Sequence, residues 1–362
     1  MAGLVAGPRS HAPFFIFLAA LTAFRIAYSG WFELSLDEAY YWLWSLHPSL
    51  SYYDHPPMVA WMAWLTGALG ESERALRLGA VLCVSGATWA LYRMAAEASG
   101  SPAAGLWAAV IFNLCGIISV GALVLTPDAP LWLFSMLALY CGLRIAVTPA
   151  PGWWYALGAA FGLALLSKYN AALFAPAFLA FLLVSREHRH WLSRREPYLA
   201  FALALALFSP VIVWNAAHDW VSFRFQFAHG FSGEERSWAL NAAEFWGGQA
   251  AMMGLFIFFF LIAAAAWAWR EGRAENNAGL VYLSVMSLAL LAFFFANSFP
   301  RRMEGNWSTH AYFTAIAAAP GFAAAMGRRG WFRFAWRASL GLAALPLAYP
   351  HIPIAEPVLT MP

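Results

Sequence analysis

Charge is what this chain has least of. Only 11% of its 362 residues are charged, against about 25% in soluble globular domains. So few charges cannot cover a surface that faces water on every side. That excludes a cytosolic enzyme and a disordered protein. Lysine occurs once, as Lys168, and aspartate four times. The net charge of +3 provides no basic field for nucleic acid. The three cysteines, Cys83, Cys115 and Cys141, lie inside apolar runs. They read as small hydrophobes, not as metal ligands or a disulfide framework. What remains is apolar: 62% of residues are hydrophobic and 17% aromatic. The composition is that of an all-α polytopic membrane protein.

A helix crossing the bilayer needs about 20 mostly apolar residues. Eleven such stretches are expected, at 13–31, 74–96, 102–122, 128–147, 153–167, 170–185, 197–215, 247–269, 278–297, 308–327 and 331–349. Residues 13–31 have no small-residue cleavage site and run into Trp31 and Phe32, which predicts an uncleaved first span. Orientation follows from arginine, which concentrates on cytoplasmic turns. With the N-terminus inside, those turns hold Arg93, Arg144, Arg186, Arg189, Arg194, Arg195, Arg270, Arg273, Arg328 and Arg329. Asp37, Asp54, Asp128, Asp219 and Lys168 then all fall on the outer face. The first outer loop, 32–73, is the longest and is predicted to hold interfacial helices. Residues 58–69 form one of them, anchored by Trp61 and Trp64. No internal repeat is evident. The chain reads as one transmembrane domain over 1–362, without a soluble C-terminal domain, ending in a short outer tail at 351–362.

Six outer-face clusters carry the chemistry. In Ser35-Leu36-Asp37-Glu38, adjacent acids on a helix point different ways. One is suited to general-base work in a cavity. The other fits a capping box, with Ser35 as N-cap and Glu38 at the third position. Tyr53-Asp54-His55-Pro56-Pro57 places an acid and a histidine either at a helix start or on the rim of a polar site. Thr126-Pro127-Asp128 puts an acid at the lip of a span, as a cap or a site residue. Lys168, between two apolar runs, either snorkels or holds a phosphate. The stretch Trp214 to Gln226, with His218 and Asp219, reads as an aromatic loop returning to the membrane. No metal is expected there, because no second pair of ligands sits at the right spacing. Arg301-Arg302 runs against the charge bias of outer loops. The pair either recognises phosphate or is held by an ion pair from Arg302 to Glu304 or to a lipid headgroup.

In order, Asp37-Glu38-Ala39-Tyr40-Tyr41-Trp42, Tyr53-Asp54-His55-Pro56-Pro57-Met58, Thr126-Pro127-Asp128-Ala129-Pro130, Leu166-Ser167-Lys168-Tyr169, Trp214-Asn215 with His218 and Trp220, and Glu304-Gly305-Asn306-Trp307 resemble the bacterial family 39 glycosyltransferases. That family includes protein mannosyltransferases, lipid A aminoarabinose transferases and galacturonosyltransferases. The resemblance implies the GT-C fold. It implies inverting transfer of a sugar from a polyprenyl-phosphate donor to a lipid, glycan or protein acceptor, at the periplasmic face of a bacterial inner membrane. It implies no cofactor. Asp37 is then the catalytic base and Glu38 the second acid of the pair. Asp128, Tyr53, Asp54, His55, His218, Glu304 and Asn306 are expected at the acceptor or sugar site. Lys168, Arg301 and Arg302 are expected at the donor phosphate. Aminoarabinose transferases carry Glu-Lys-Pro-Pro where this chain has Asp54-His55-Pro56-Pro57. The competing reading is a flippase for a lipid-linked sugar, against which stands an expected lack of polar residues inside the spans.

Overall fold

The computed structural model describes residues 10–348 apart from 71, 149, 232–236 and 328. Arg328 and the expected tail at 351–362 lie outside the described residues. The described chain is helical, with no strand. In order its α-helices are α1 (Ala12–Tyr28), α2 (Leu36–Ser45), α3 (Met58–Gly67), α4 (Glu73–Ser99), α5 (Pro102–Leu114), α6 (Gly116–Gly121), α7 (Asp128–Val147), α8 (Gly152–Ser167), α9 (Phe174–Val184), α10 (Glu196–Ala217), α11 (Val221–Phe231), α12 (Trp238–Met253), α13 (Leu255–Ala274), α14 (Ala278–Asn297), α15 (Phe313–Met326) and α16 (Gly330–Ala348). Short 3-10 helices at Tyr169–Leu173 and Gly305–Tyr312 lead into α9 and α15.

Each expected span corresponds to a helix or to a pair joined end to end. Five helices (α4, α7, α10, α13 and α14) are individually long and apolar enough to cross a bilayer. The joints were not predicted. The stretch 102–122 breaks at Cys115, which is extended and starts the short α6. The stretch 247–269 breaks at Gly254, whose φ of 88° favours glycine. That break divides α12 from α13, so α12 and α11 occupy what reads in sequence as an outer loop. Interfacial helices do fill the first outer loop, as α2 and α3. Trp64 is exposed there, but Trp61 is half-buried and donates its indole N–H to Ser49 O at 2.8 Å. It serves the loop rather than the bilayer.

The centre of the bundle is α4 and α7, while α10 runs along its rim. Small residues let α8 and α10 approach closely. A Cβ on Gly158 would lie 2.3 Å from Ala200 O, and one on Gly162 would lie 2.9 Å from Ala204 O. At the inner end, Glu97 of α4 accepts from Arg93, Tyr140 and Arg144.

The expected lack of polar residues inside the spans does not hold. Arg25 in α1 and Arg77 in α4 are both buried. Arg77 donates Nε and Nη2 to the two oxygens of Glu38 at 2.7 and 2.8 Å. Its Nη1 reaches Ser29 O and Phe32 O, and its Nη2 also reaches Glu33 O. The guanidinium also lies 3.9 Å from the centre of the Phe32 ring. This single side chain fastens the first outer loop to the bundle.

Candidate active site

Where the outer ends of the helices meet the loops, the structure encloses a cavity of about 820 Å³. Helix α2 supplies Asp37 and Tyr41, one turn apart on the same face. The Asp54-His55 turn, the Thr126–Asp128 start of α7, the break at Lys168 and the 303–307 segment add the remaining polar wall. Phe208, Phe223, Phe225, Phe293 and Phe294 close it with aromatic surface.

The two adjacent acids take different paths. Ser35 caps α2 and forms a full capping box with Glu38. Glu38 also accepts from the Leu125 N–H at 3.0 Å, besides Arg77 and Ser35. Burial pushes its carboxyl up, but the Arg77 hydrogen bond and the two backbone N–H groups outweigh that and hold it below the ordinary range. Glu38 is 1% exposed and does not line the cavity. Its placement as a second catalytic acid is therefore corrected: it ties the first two outer loops to α4. Asp37 is exposed, lines the cavity and makes no hydrogen bond or ion pair among the described residues. One position along α2 separates a sealed acid from an open one.

Lys168 is extended, ending α8 before the 3-10 turn, and projects its ammonium onto Asp128. Nζ lies 2.9 and 3.1 Å from the two carboxylate oxygens, and both side chains are buried. Asn306 donates to the same carboxylate at 2.8 Å. Asp128, Lys168 and Asn306, 178 residues apart at the extremes, thus form one cluster on the wall. Lys168 is not the isolated point charge the sequence implies.

Asp54 is half-buried, with Tyr40 donating to Oδ1 at 3.3 Å and Gln226 of α11 donating to its backbone carbonyl. Burial first, then the charge of Asp37, raise its carboxyl above the ordinary value against the Tyr40 hydrogen bond. Tyr41 is raised too, by burial and then by Asp54, Asp37 and Asp128. Three carboxylates therefore converge around one phenol. Burial and Asp54 push Tyr40 to about 12. His55 lines the cavity and packs against the Tyr41 ring.

Other expected site residues lie elsewhere. Glu304 lines the cavity from an exposed position before the 3-10 helix. Tyr53 is exposed beside Phe225, off the cavity wall. The structure corrects the placement of His218: its Nδ1–H donates to Trp214 O at 2.7 Å, and its ring stacks on that indole and finishes α10 outside the cavity. Arg301 and Arg302 are not among the lining residues either. Arg302 points to Glu244 of α12, 4.0 Å away, rather than to Glu304. Sequence reasoning missed Tyr41, Asn170 and Gln226 as cavity residues. The i, i+4 spacing from Asp37 was a usable signal for Tyr41.

Comparison with known proteins agrees with this architecture. Residues 54–214 match the family described as dolichyl-phosphate-mannose-protein mannosyltransferase. The lipid A galacturonosyltransferase RgtD of Rhizobium johnstonii is 26% identical over 282 residues, 77% of this chain and 58% of that protein. ArnT of Cupriavidus metallidurans, solved with undecaprenyl phosphate bound, superposes with a TM-score of 0.67 at 18% identity, covering 98% of this chain and 66% of that one. The oligosaccharyltransferase AglB of Archaeoglobus fulgidus, solved with an inhibitory peptide and a dolichol-phosphate, gives 0.53 at 12% identity, over 94% and 55% of the two chains. This chain spans less than two thirds of the length of these relatives. The fold is that of the GT-C membrane glycosyltransferases, as the six motifs imply. The protein is a multi-pass membrane protein.

Proposed function

We propose that the chain transfers a sugar from a polyprenyl-phosphate donor to a lipid, glycan or protein acceptor, with inversion, on the periplasmic face of a bacterial inner membrane. The observation that carries this is one cavity wall with a free carboxylate, Asp37, and a buried cation, Lys168. The donor phosphate would join Lys168 within the Asp128–Asn306 cluster. The acceptor hydroxyl attacks the anomeric carbon and gives its proton to Asp37. The new carbon–oxygen bond forms as the bond to the phosphate breaks, and its electron pair leaves on polyprenyl phosphate. Lys168 offsets that developing charge. All four aspartates fall on the expected outer side and ten of the twenty arginines on the expected inner turns, a bias that supports the periplasmic orientation. The flippase alternative gains no support from the relatives.

The test is transfer by the purified protein in nanodiscs from an undecaprenyl-phosphate sugar to lipid A. Asp37→Asn is expected to lower the rate by about 100-fold or more while leaving the fold intact, as loss of a general base does. In cells, the same variant leaves the donor to accumulate, read by mass spectrometry of membrane lipids. Normal transfer by a folded Asp37→Asn protein would sink the base assignment.

A further inference from the structure

The cavity wall is unevenly charged. Four carboxylates reach it, from Asp37, Asp54, Asp128 and Glu304. Among the described lining residues the only lysine or arginine is Lys168, already held by both oxygens of Asp128. Arg224 on α11 and the Arg301-Arg302 pair lie outside the lining. We infer that the site accommodates one negative charge, the donor's phosphate, and that the transferred sugar is neutral or cationic and not a uronate.

This rests on the reading of the cavity as a donor site. A polyprenyl-phosphate sugar brings one anion, and Lys168 is the group able to meet it. A sugar carboxylate would be a second anion with no lysine or arginine left among the described lining residues. It would sit among Asp37, Asp54 and Glu304, in surroundings where an unpaired charge is poorly solvated. The carboxylates already crowd one another, since the charge of Asp37 acts on Asp54. A hydroxyl or an amine at the same place meets acceptors instead of repulsion. The curated relative is a galacturonosyltransferase. At 26% identity the two pockets need not share a charge pattern, and the pattern here is wrong for a uronate.

The experiment is binding to the full chain in nanodiscs, read by native mass spectrometry with three probes. These are undecaprenyl phosphate, undecaprenyl-phosphate galactose and undecaprenyl-phosphate galacturonate. The galactose probe is expected to bind about 10-fold more tightly than the galacturonate probe, the factor that one close like-charge contact accounts for in a partly screened site. Glu304→Gln, at an exposed position that the fold tolerates, and Asp54→Asn are each expected to narrow that ratio. Equal or tighter binding of the galacturonate probe overturns the inference. So does a ratio that neither variant moves, because shape and not charge then discriminates. Failure of bare undecaprenyl phosphate to bind, or binding indifferent to Lys168→Ala, overturns the donor-site reading itself, a result separable from selectivity.

Discussion

The molecule contains two buried acid–base pairs near its outer face, and they are built differently. In Glu38–Arg77 all five guanidinium N–H groups have partners: two on the carboxylate and three on the carbonyls of Ser29, Phe32 and Glu33. The pair is sealed, at 1% and 0% exposure. In Asp128–Lys168 the ammonium's only hydrogen bonds among the described residues are to the carboxylate, and the pair forms part of a cavity wall. Both acids are paired and both bases are buried. What distinguishes the two pairs is saturation of the hydrogen bonds, together with access to a space that a ligand can enter. Charge and burial alone do not distinguish them.

The comparison is broken most sharply by removing each cation in turn. Arg77→Met leaves Glu38 buried without its partner, a loss of about 3–5 kcal/mol. A lower thermal midpoint and poor recovery of monodisperse protein in detergent are expected. Lys168→Met leaves Asp128 bonded to Asn306 and facing the cavity, so about 1–3 kcal/mol is expected. That protein stays folded but loses undecaprenyl phosphate binding. Equal destabilisation by the two variants would erase the distinction between the pairs.

Acid sharpens it next. The folded Glu38 carboxyl lies below its unfolded value. Its stabilisation is therefore complete above the unfolded pKa of about 4.3 and is lost as pH falls through the folded value. Asp54 is shifted the other way. Its ionised form is disfavoured in the fold, so it withdraws stability as pH rises through the carboxylate range. A thermal-midpoint scan between pH 3 and 7 is expected to fall at the acid end in the wild type. With Glu38→Gln that fall shrinks, and with Asp54→Asn the neutral-pH midpoint is unchanged or slightly higher. An acid limb that survives Glu38→Gln at full size would remove Glu38 as its source.

How much of this was legible in the sequence depends on how far apart the partners lie. The capping box of Ser35 and Glu38 spans three residues and is readable as such. Arg77, which fixes the role of Glu38, sits 39 residues further on, inside an apolar run where it drew no attention. Lys168 stood out because it is the only lysine, yet its partner lies 40 residues away and nothing local points to it. The ordered motifs conveyed the fold through the family they resemble: two lie on or just before the interfacial helices of the first outer loop and the rest at or near the outer ends of spans. The spans themselves followed from apolar length. Their internal breaks did not, since Cys115 and Gly254 are unremarkable inside apolar runs. Helices α11 and α12 were hidden because their polar and aromatic residues mix without a clear period. His218 and the Arg301-Arg302 pair drew attention as polar residues on an outer loop, which says nothing about which way a side chain faces.

The inner end of the bundle offers the mildest test of the same argument. Glu97 there accepts from Arg93 at 2.7 Å, Tyr140 at 2.6 Å and Arg144 at 2.7 Å. By count of partners this acid is as well satisfied as Glu38. It is 19% exposed, however, and Arg93 is 42% exposed, so water solvates the ions when the pair opens and salt screens them. Glu97→Gln is expected to cost about 1 kcal/mol or less, and the difference from wild type is expected to shrink in high salt. Arg77→Met should show no such salt dependence, because its pair is closed to ions. If Glu97→Gln proved as costly as Arg77→Met, partner number alone would account for both, and the contrast between sealed and accessible pairs would lose its basis.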